Sequence, residues 1–353
     1  MSREKYLVLE NGRVFRGRSF GFDGAAVAEV VFTTGMTGYL ETLTDKSYYG
    51  QIIVQTFPLI GNYGVIPADF EGDNPVPSGY IVKNWCQRPS NFRSEGCLDA
   101  FLKRRKITGL CDVDTRSLTK AIREHGVMNG AIVDDPSLAD MDAIRAYRVE
   151  RAVESTTAKE PRTVGEGREV ALLDFGLKEN ITRELIRRGC RVTVWPGDTP
   201  PERILAAGPA GIMLSNGPGD PTENTGIIAN LRALLGSGIP IFGICLGHQL
   251  LALASGFGTT KLKYGHRGAN QPVKELATGR VYITSQNHGY AVVSDTIDKN
   301  VAEEAFVNVN DGTNEGIIYR GAPAFSAQFH PEHCGGPMDT EWLFDRFIGM
   351  MGN

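Results

Sequence analysis

Apolar and polar positions follow different patterns in the two halves of the chain. Over the first 138 residues, short apolar runs are separated by glycine-containing stretches. Runs of this length predict β-strands. The predicted strands cover residues 6–9, 27–33, 51–56, 80–83 and 130–133. A helical period predicts one helix at 114–125, which Gly126 ends as a C-terminal cap.

From residue 170 onward, strand-like and helix-like segments alternate. The predicted strands are 170–174, 191–195, 211–215 and 240–244, and the predicted helices are 178–188, 203–207, 226–235 and 246–255. Gly189 and Gly256 stand where helix caps are expected. This alternation predicts an α/β domain with an open, mostly parallel sheet flanked by helices. In such sheets, ligands bind at the carboxyl ends of the strands.

The two patterns meet in a segment that is poor in large apolar residues. Residues 139–168 are rich in charge and contain Pro161, Gly165 and Gly167. We therefore predict three parts: an N-terminal domain of mixed α+β structure at 1–138, a linker at 139–168, and a C-terminal α/β domain at 169–353.

The composition argues against several classes of protein. A formal net charge of −4 and a pI of about 5.9 do not fit a nucleic-acid-binding surface. No apolar stretch is long enough to span a membrane, and the first residues lack the pattern of a secretory signal. The six cysteines are scattered and form no C-x-x-C pair, which predicts reduced thiols in a cytoplasmic protein.

One cysteine lies at the junction of a predicted strand and a predicted helix. The segment GICLG (243–247) has the form of a nucleophile elbow with cysteine at its centre. Flanking glycines suit the crowded backbone of such a turn. The positive end of the helix dipole favours a thiolate at Cys245, and the backbone N–H of Leu246 can face a developing oxyanion. A buried cysteine in simple packing is the alternative.

A thiolate nucleophile needs a base and a group that orients the base. Among the six histidines, His330 follows a strand-like run at 324–329. Residues two apart in an extended chain point to the same side, so Glu332 can fix the tautomer of His330. Other interpretations stay open: a core histidine, a solvated glutamate, or metal ligation by His330, His333 and Cys334. The metal interpretation lacks a second cluster with ligand spacing.

Several segments together resemble a known family. The elbow cysteine and the HPE segment (330–332) resemble the class I triad glutamine amidotransferases. Six further segments are similar to the small subunits of carbamoyl phosphate synthetases within that class. These are FTTGMTGY (32–39), PLIGNYG (58–64), DVDTR (112–116), SNGPGDP (215–221), YGHRGAN (264–270) and SQNHGY (285–290). The resemblance covers nearly the whole chain.

The resemblance implies an activity and a set of site residues. Small subunits of this family hydrolyse L-glutamine to glutamate and ammonia. Cys245 corresponds to the nucleophile, His330 to the general acid and base, and Glu332 to the residue that orients it. The implied glutamine contacts are Ser47, Gly217, Gly219, Leu246, Gln249, Asn287, Gly289 and Tyr290. Outside this context, the glycines of SNGPG and Ser47 would indicate only turns.

The resemblance also implies a partner. It predicts no cofactor and no metal in this chain, and a large subunit that makes carbamoyl phosphate from ammonia and bicarbonate with ATP and magnesium. The product would serve arginine or pyrimidine synthesis. Ammonia in neutral water is mostly ammonium, which has no lone pair to attack with. The two subunits are therefore expected to associate, as a heterodimer or a higher oligomer of heterodimers, around an enclosed path.

Three rival functions can be weighed on the same residues. A glutaminase that feeds another synthase would lack the first domain. A non-catalytic regulatory subunit would be indicated by the loss of a triad residue, and all three are present. A thiol protease would carry a papain-like cysteine signature, which is absent. The sequence departs from the family pattern at two places. The segment at 137–169 is shorter than usual, and Cys334 adds a second thiol, which oxidation can reach, after the HPE segment.

Overall fold

In the computed structural model, which describes residues 3–74, 76–332 and 335–352, the chain divides into two units. The first unit is Met1–Glu150 and the second is Arg151–Asn353. The division falls inside residues 139–168, the predicted linker. That segment holds a helix of the first unit, and a helix and a strand of the second, whose bounds are given below.

The first unit is built around a closed seven-stranded barrel in the order β1-β2-β8-β6-β4-β3-β9. A separate two-stranded sheet pairs β5 with β7. The strands of this unit are β1 (Glu4–Leu9), β2 (Val14–Gly21), β3 (Ala26–Thr33), β4 (Gln51–Gln55), β5 (Leu59–Ile60), β6 (Gly79–Ile81), β7 (Asn84–Trp85), β8 (Thr108–Cys111) and β9 (Met128–Val133). Its helices are α1 (Tyr39–Thr44), α2 (Leu98–Arg104), α3 (Thr115–His125) and α4 (Met141–Ala146).

The five strands predicted in the first half are all present and belong to the barrel. The structure adds β2 and β8, which hydrogen-bond to each other and help to close it. The predicted helix is α3, where the Asp114 side chain accepts from the backbone N–H of Ser117 at 3.0 Å and Gly126 follows with φ 102°. Both caps are local features, which is why the sequence reveals them.

The second unit contains a ten-stranded sheet in the order β10-β12-β11-β13-β14-β19-β18-β17-β15-β16. Its strands are β10 (Arg162–Val164), β11 (Arg168–Asp174), β12 (Cys190–Pro196), β13 (Gly211–Leu214), β14 (Ile241–Ile244), β15 (Thr259–Glu275), β16 (Val281–Val292), β17 (Ala302–Asn308), β18 (Asn314–Tyr319) and β19 (Ala324–Ala327). Its helices are α5 (Ala152–Thr156), α6 (Glu179–Arg187), α7 (Pro201–Ala206), α8 (Thr225–Leu235), α9 (Leu246–Ala254) and α10 (Trp342–Met350).

The prediction of a mostly parallel sheet is wrong, because the sheet is mixed. Among the described residues, four of its nine strand pairings are parallel and five are antiparallel. The parallel part is the region where helices alternate with strands. After α9 no α-helix separates the strands β15 to β19, and the consecutive strands joined by short turns, β15–β16, β17–β18 and β18–β19, pair antiparallel.

Apolar side chains cover both faces of this sheet. On β11, Ala171 and Leu173 belong to one core cluster, whereas Val170 and Leu172 belong to another. Helices α8 and α9 contribute to the first cluster, and α6 and α10 to the second. Successive strand residues point to opposite faces, so the second unit has three layers, with the sheet in the middle.

The parallel strands set the position of the site. Strands β11, β13, β14 and β19 are consecutive neighbours in the sheet and run in the same direction. Their carboxyl ends therefore lie side by side at one edge. Over the described residues, no helix has the length and apolar character needed to cross a bilayer.

Candidate active site

Cys245 occupies the turn between β14 and α9. Its backbone has φ 53° and ψ −103°, a conformation that costs a non-glycine residue about 1–3 kcal/mol. A Cβ on Gly247 would lie 2.5 Å from the carbonyl oxygen of Leu214, and one on Gly243 would lie 2.8 Å from the carbonyl oxygen of Gly247. The turn therefore needs glycine on both sides. The elbow geometry expected at Cys245 is present, and the residue is buried.

The loop after β13 lies against the loop after β11. Asn216 is fully buried, and its Oδ1 accepts from the backbone N–H of Lys178 at 3.0 Å while its Nδ2 donates to the Gly176 carbonyl at 3.0 Å. A Cβ on Gly217 would lie 2.2 Å from the carbonyl oxygen of Phe175. The two strand ends approach so closely that only glycine fits at 217.

His330 lies beside Cys245 because β14 and β19 are parallel neighbours. Ile244 is paired with Ala327, and the backbone N–H of Cys245 donates to the Ala327 carbonyl at 2.8 Å. Three residues further on, the backbone N–H of His330 donates to the Ser285 carbonyl at 2.9 Å. The structure therefore brings together a cysteine and a histidine that are 85 positions apart in the sequence.

Glu332 and Lys178 complete a buried charged group around His330. Nδ1 of His330 lies 2.6 Å from Oε1 of Glu332, and Nζ of Lys178 lies 3.6 Å from the same oxygen. All three residues are at least 96% buried. The carboxylate accepts a hydrogen bond from Nδ1 and so leaves Nε2 for the Cys245 side. Buried charges of this kind persist only when they are paired.

Protonation of this group is set by opposing effects. Burial and the charge of Lys178 each lower the pKa of His330, but the Glu332 carboxylate and the Cys245 sulfur outweigh them and hold the pKa above its ordinary value. Burial raises the pKa of Glu332, but the charges of His330 and Lys178 hold it below the ordinary value of a glutamate. His330 is thus stabilised as an imidazolium next to a carboxylate.

Replacing Glu332 by glutamine should move the pH profile of catalysis. The expected role of His330 as a general acid uses the imidazolium, so we expect activity to fall as the pH rises through the raised pKa of His330. Removal of the anion lowers that pKa, and we expect the alkaline limb of kcat/KM for glutamine to move to lower pH by about 1–2 units. The profile of Glu303→Gln, an exposed glutamate on β17, should match the unmodified protein. If the alkaline limb of Glu332→Gln lies at the same pH as that of the unmodified protein, the expected role of Glu332 beside His330 is wrong.

The predicted glutamine contacts of the second unit lie on segments around Cys245. The Asn287 carbonyl oxygen is 3.8 Å from the Cys245 sulfur. Nε2 of Gln249 donates to the Tyr290 carbonyl at 2.8 Å and to Oε1 of Gln328 at 2.9 Å. Gly289 lies between the paired segments of β16, and Leu246 is the first residue of α9.

The other predicted contacts occupy turns. Gly219 has φ 88°, and a Cβ there would lie 2.7 Å from that of Ala152, so the position requires glycine. Ser47, in the first unit, belongs to a 3-10 turn, and its backbone N–H donates to Oδ1 of Asp45 at 2.8 Å. Its contact with glutamine stays a prediction.

Lys178 and Asn216 were not predicted from the sequence. The sequence placed Lys178 only at the start of a predicted helix. Its ion pair with Glu332 joins residues that are 154 positions apart in the sequence. Both residues lie in loops that follow strands ending at the same edge, Lys178 after β11 and Asn216 after β13, and that position was the available signal. His333 and Cys334, weighed as metal ligands, lie outside the described residues.

One cluster of the described residues has side chains close enough to share a metal ion. It consists of His266, His288 and Glu315, whose ligand atoms all lie within 4.8 Å of one another. His248, in contrast, is a fully buried core histidine with Nδ1 2.8 Å from Oγ of Ser326. Burial lowers its pKa to about 3, so it stays neutral.

Comparison with known families agrees with these two units. Residues 171–350 match the family "Glutamine amidotransferase class-I", and residues 7–132 match "Carbamoyl-phosphate synthase small chain, CPSase domain". Proteins named "Carbamoyl phosphate synthase small chain" are similar over nearly the full length. The one from Clostridium perfringens is 50% identical over 97% of this chain and 98% of its own, and that of Symbiobacterium thermophilum is 49% identical over 97% of both.

Solved structures are similar to part of the chain. A putative GMP synthase protein from Thermoplasma acidophilum covers 53% of this chain and 96% of its own, with 21% identity and a TM-score of 0.46.

Proposed function

Because this chain belongs to the family of carbamoyl phosphate synthase small chains, which hydrolyse glutamine and supply ammonia to a large subunit, we propose that Cys245, His330 and Glu332 form its catalytic triad. The observation that carries the proposal is the placement of a strained elbow cysteine beside a histidine whose Nδ1 is held by a buried carboxylate at 2.6 Å. A thiol nucleophile needs a base and a group that orients the base, and His330 and Glu332 are proposed for these two roles.

The first half of the reaction forms a thioester. The Cys245 thiolate attacks the side-chain amide carbon of glutamine and forms a carbon–sulfur bond. The tetrahedral intermediate collapses as the carbon–nitrogen bond breaks, and the imidazolium of His330 gives its proton to the leaving nitrogen. Glutamyl thioester and ammonia result, with His330 neutral.

The second half releases glutamate. Neutral His330 takes a proton from a water molecule, which attacks the thioester carbon and expels the Cys245 thiolate. The net reaction is glutamine plus water to glutamate plus ammonia. Glu332 stabilises His330 each time the imidazole becomes charged, and Lys178 holds Glu332 ionised.

We assign the glutamine contacts from the family resemblance and from position. The backbone N–H of Leu246 lies in the first turn of α9, where N–H groups lack partners within the helix, and it is proposed to bind the oxyanion together with the glycine loop. The remaining proposed contacts are Ser47, Gly217, Gly219, Gln249, Asn287, Gly289 and Tyr290.

The chain works together with a large subunit. We propose a heterodimer, or a higher oligomer of heterodimers, in which the large subunit uses ATP, magnesium and bicarbonate and this chain needs no cofactor. The five cysteines among the described residues are free thiols, which supports a reducing compartment, the cytoplasm. The alternatives are a glutaminase that feeds another synthase and a non-catalytic subunit.

Co-purification from native extract separates these alternatives. We expect the tagged chain to retain a larger ATP-hydrolysing chain, and the pair to make carbamoyl phosphate in a glutamine- and ATP-dependent manner. Capture of a different synthase would support the first alternative. A complex that makes carbamoyl phosphate from ammonia but releases no glutamate from glutamine would support a non-catalytic subunit.

A further inference from the structure

A buried ionic cluster lies beside the proposed glutamine-binding segment, and the mechanism above does not use it. His266, in the middle of β15, is paired in register with His288 on β16. His266 belongs to the YGHRGAN segment, to which the sequence alone assigned no role. The two imidazole rings are 4.9 Å apart, with an interplanar angle of 82°.

His266 lies between two carboxylates. Its Nε2 is 2.8 Å from Oδ2 of Asp311, in the turn between β17 and β18, and its Nδ1 is 3.4 Å from Oε1 of Glu315 on β18. His266 is 8% exposed and Glu315 is fully buried. Burial lowers the pKa of His266, but the two carboxylates outweigh it and hold the pKa above its ordinary value. A histidine with a carboxylate at each nitrogen is stabilised as an imidazolium.

Glu315 connects this cluster to the segment that precedes His330. Its Oε1 accepts from Nδ2 of Asn308 at 3.3 Å. Its backbone carbonyl accepts from the N–H of Gln328 at 2.9 Å, two positions before His330. Glu315 therefore contacts His266 through its side chain and the segment before His330 through its backbone.

His288 connects the cluster to the substrate segment. Its Nδ1 lies 2.8 Å from the Tyr290 carbonyl oxygen and its Nε2 lies 3.1 Å from Oε1 of Gln286. The first of these contacts spans Gly289. Burial, together with the positive charge of His266, lowers the pKa of His288. One ring of the pair thus lies between two carboxylates, while the other holds the backbone at 288–290.

We propose that His266 is a positioning residue for glutamine binding: anchored by Asp311 and Glu315, its ring supports the ring of His288 and so fixes the backbone of 287–290. This inference rests on the proposed assignment of Asn287, Gly289 and Tyr290 as substrate contacts. His266 does not touch the reacting atoms, so its removal acts on substrate binding more than on chemistry.

The test is steady-state glutaminase kinetics on the complex with the large subunit. We expect His266→Asn to raise KM for glutamine about tenfold while kcat changes less than about threefold. Asp311→Asn, which removes one anchor at a partly exposed residue, should raise KM in the same direction by a smaller factor. The double variant should equal His266→Asn, because the two residues act through one contact.

Glu303→Gln is the matched control, since it neutralises an exposed carboxylate in the same hairpin, paired with Arg320 at 2.8 Å. Its KM should not change. Asp311→Asn keeps the test decisive if His266→Asn does not fold. An unchanged KM in both variants would overturn the proposal, as would a fall in kcat equal to the rise in KM.

Two further measurements test the cluster and the proposed triad separately. One equivalent of a bound divalent metal in the purified chain, with the same rise in KM on chelation, would overturn the positioning role in favour of a metal site at His266, His288 and Glu315. Full glutaminase activity in Cys245→Ser would instead overturn the proposed catalytic site. If Cys245→Ser is inactive and His266→Asn has a normal KM for glutamine, the positioning role of His266 is wrong while the proposed catalytic site stands.

Discussion

Replacing Cys245 by serine should reduce glutamine hydrolysis at least about 1,000-fold. The sulfur is the proposed nucleophile, and a serine hydroxyl in its place would have to lose a far more tightly held proton. The measurement is glutamate release from glutamine by the purified complex. Carbamoyl phosphate synthesis from added ammonia should continue, because free ammonia bypasses the thioester.

Cys97→Ser is the matched control for this experiment. Cys97 is a free, half-buried thiol at the N-cap of α2 in the first unit, where serine is a favoured residue. Its glutaminase activity should equal that of the unmodified chain. Glutamate release by Cys245→Ser at more than a tenth of the normal rate would show that another group attacks the amide.

Replacing His330 by asparagine should lower kcat by about 100- to 10,000-fold, because the leaving nitrogen loses its acid and the attacking water loses its base. Binding of glutamine should change little, since His330 is assigned no contact with the amino acid end of the substrate. Equilibrium binding of labelled glutamine and rapid-quench detection of the covalent adduct measure the two effects separately.

His125→Asn supplies the comparison for that variant. His125 is an exposed histidine at the end of α3 and is not part of either cluster described above. Its kinetics should be unchanged. Normal turnover by His330→Asn would mean that the base has been wrongly assigned, whereas loss of binding and turnover together would indicate a structural defect.

The parallel part of the fold was predictable because its signals are local. The helices there are marked by apolar residues, and Gly189 and Gly256 follow α6 and α9 with positive φ, as expected for helix caps. The same local signals placed Cys245 at a strand end, and parallel pairing then brought His330 to it. The sequence suggested the proposed triad because only one histidine follows a strand-like run and precedes a glutamate by two positions.

The rest of the fold and of the candidate site depends on contacts between distant residues, which no local sequence pattern encodes. The 17-residue strand β15 has irregular pairing with β16, with register shifts after Lys261 and Gly268, so its apolar positions do not alternate cleanly. Closure of the barrel requires β2 and β8, whose pairing joins residues as far apart in sequence as Arg18 and Cys111. Lys178 and the His266 cluster are likewise defined by partners that are distant in the chain.

The backbone angle of Cys245 bears on how this chain can evolve. A cysteine at φ 53° carries about 1–3 kcal/mol of backbone strain that glycine would not carry, and its buried side chain packs in the core cluster that contains Phe242 and Phe329. In a gene copy relieved of selection for glutamine hydrolysis, drift to glycine at codon 245 would relieve this strain and remove only the packing of the sulfur. Under the proposed mechanism, the sulfur is therefore the reason for a non-glycine residue at this position.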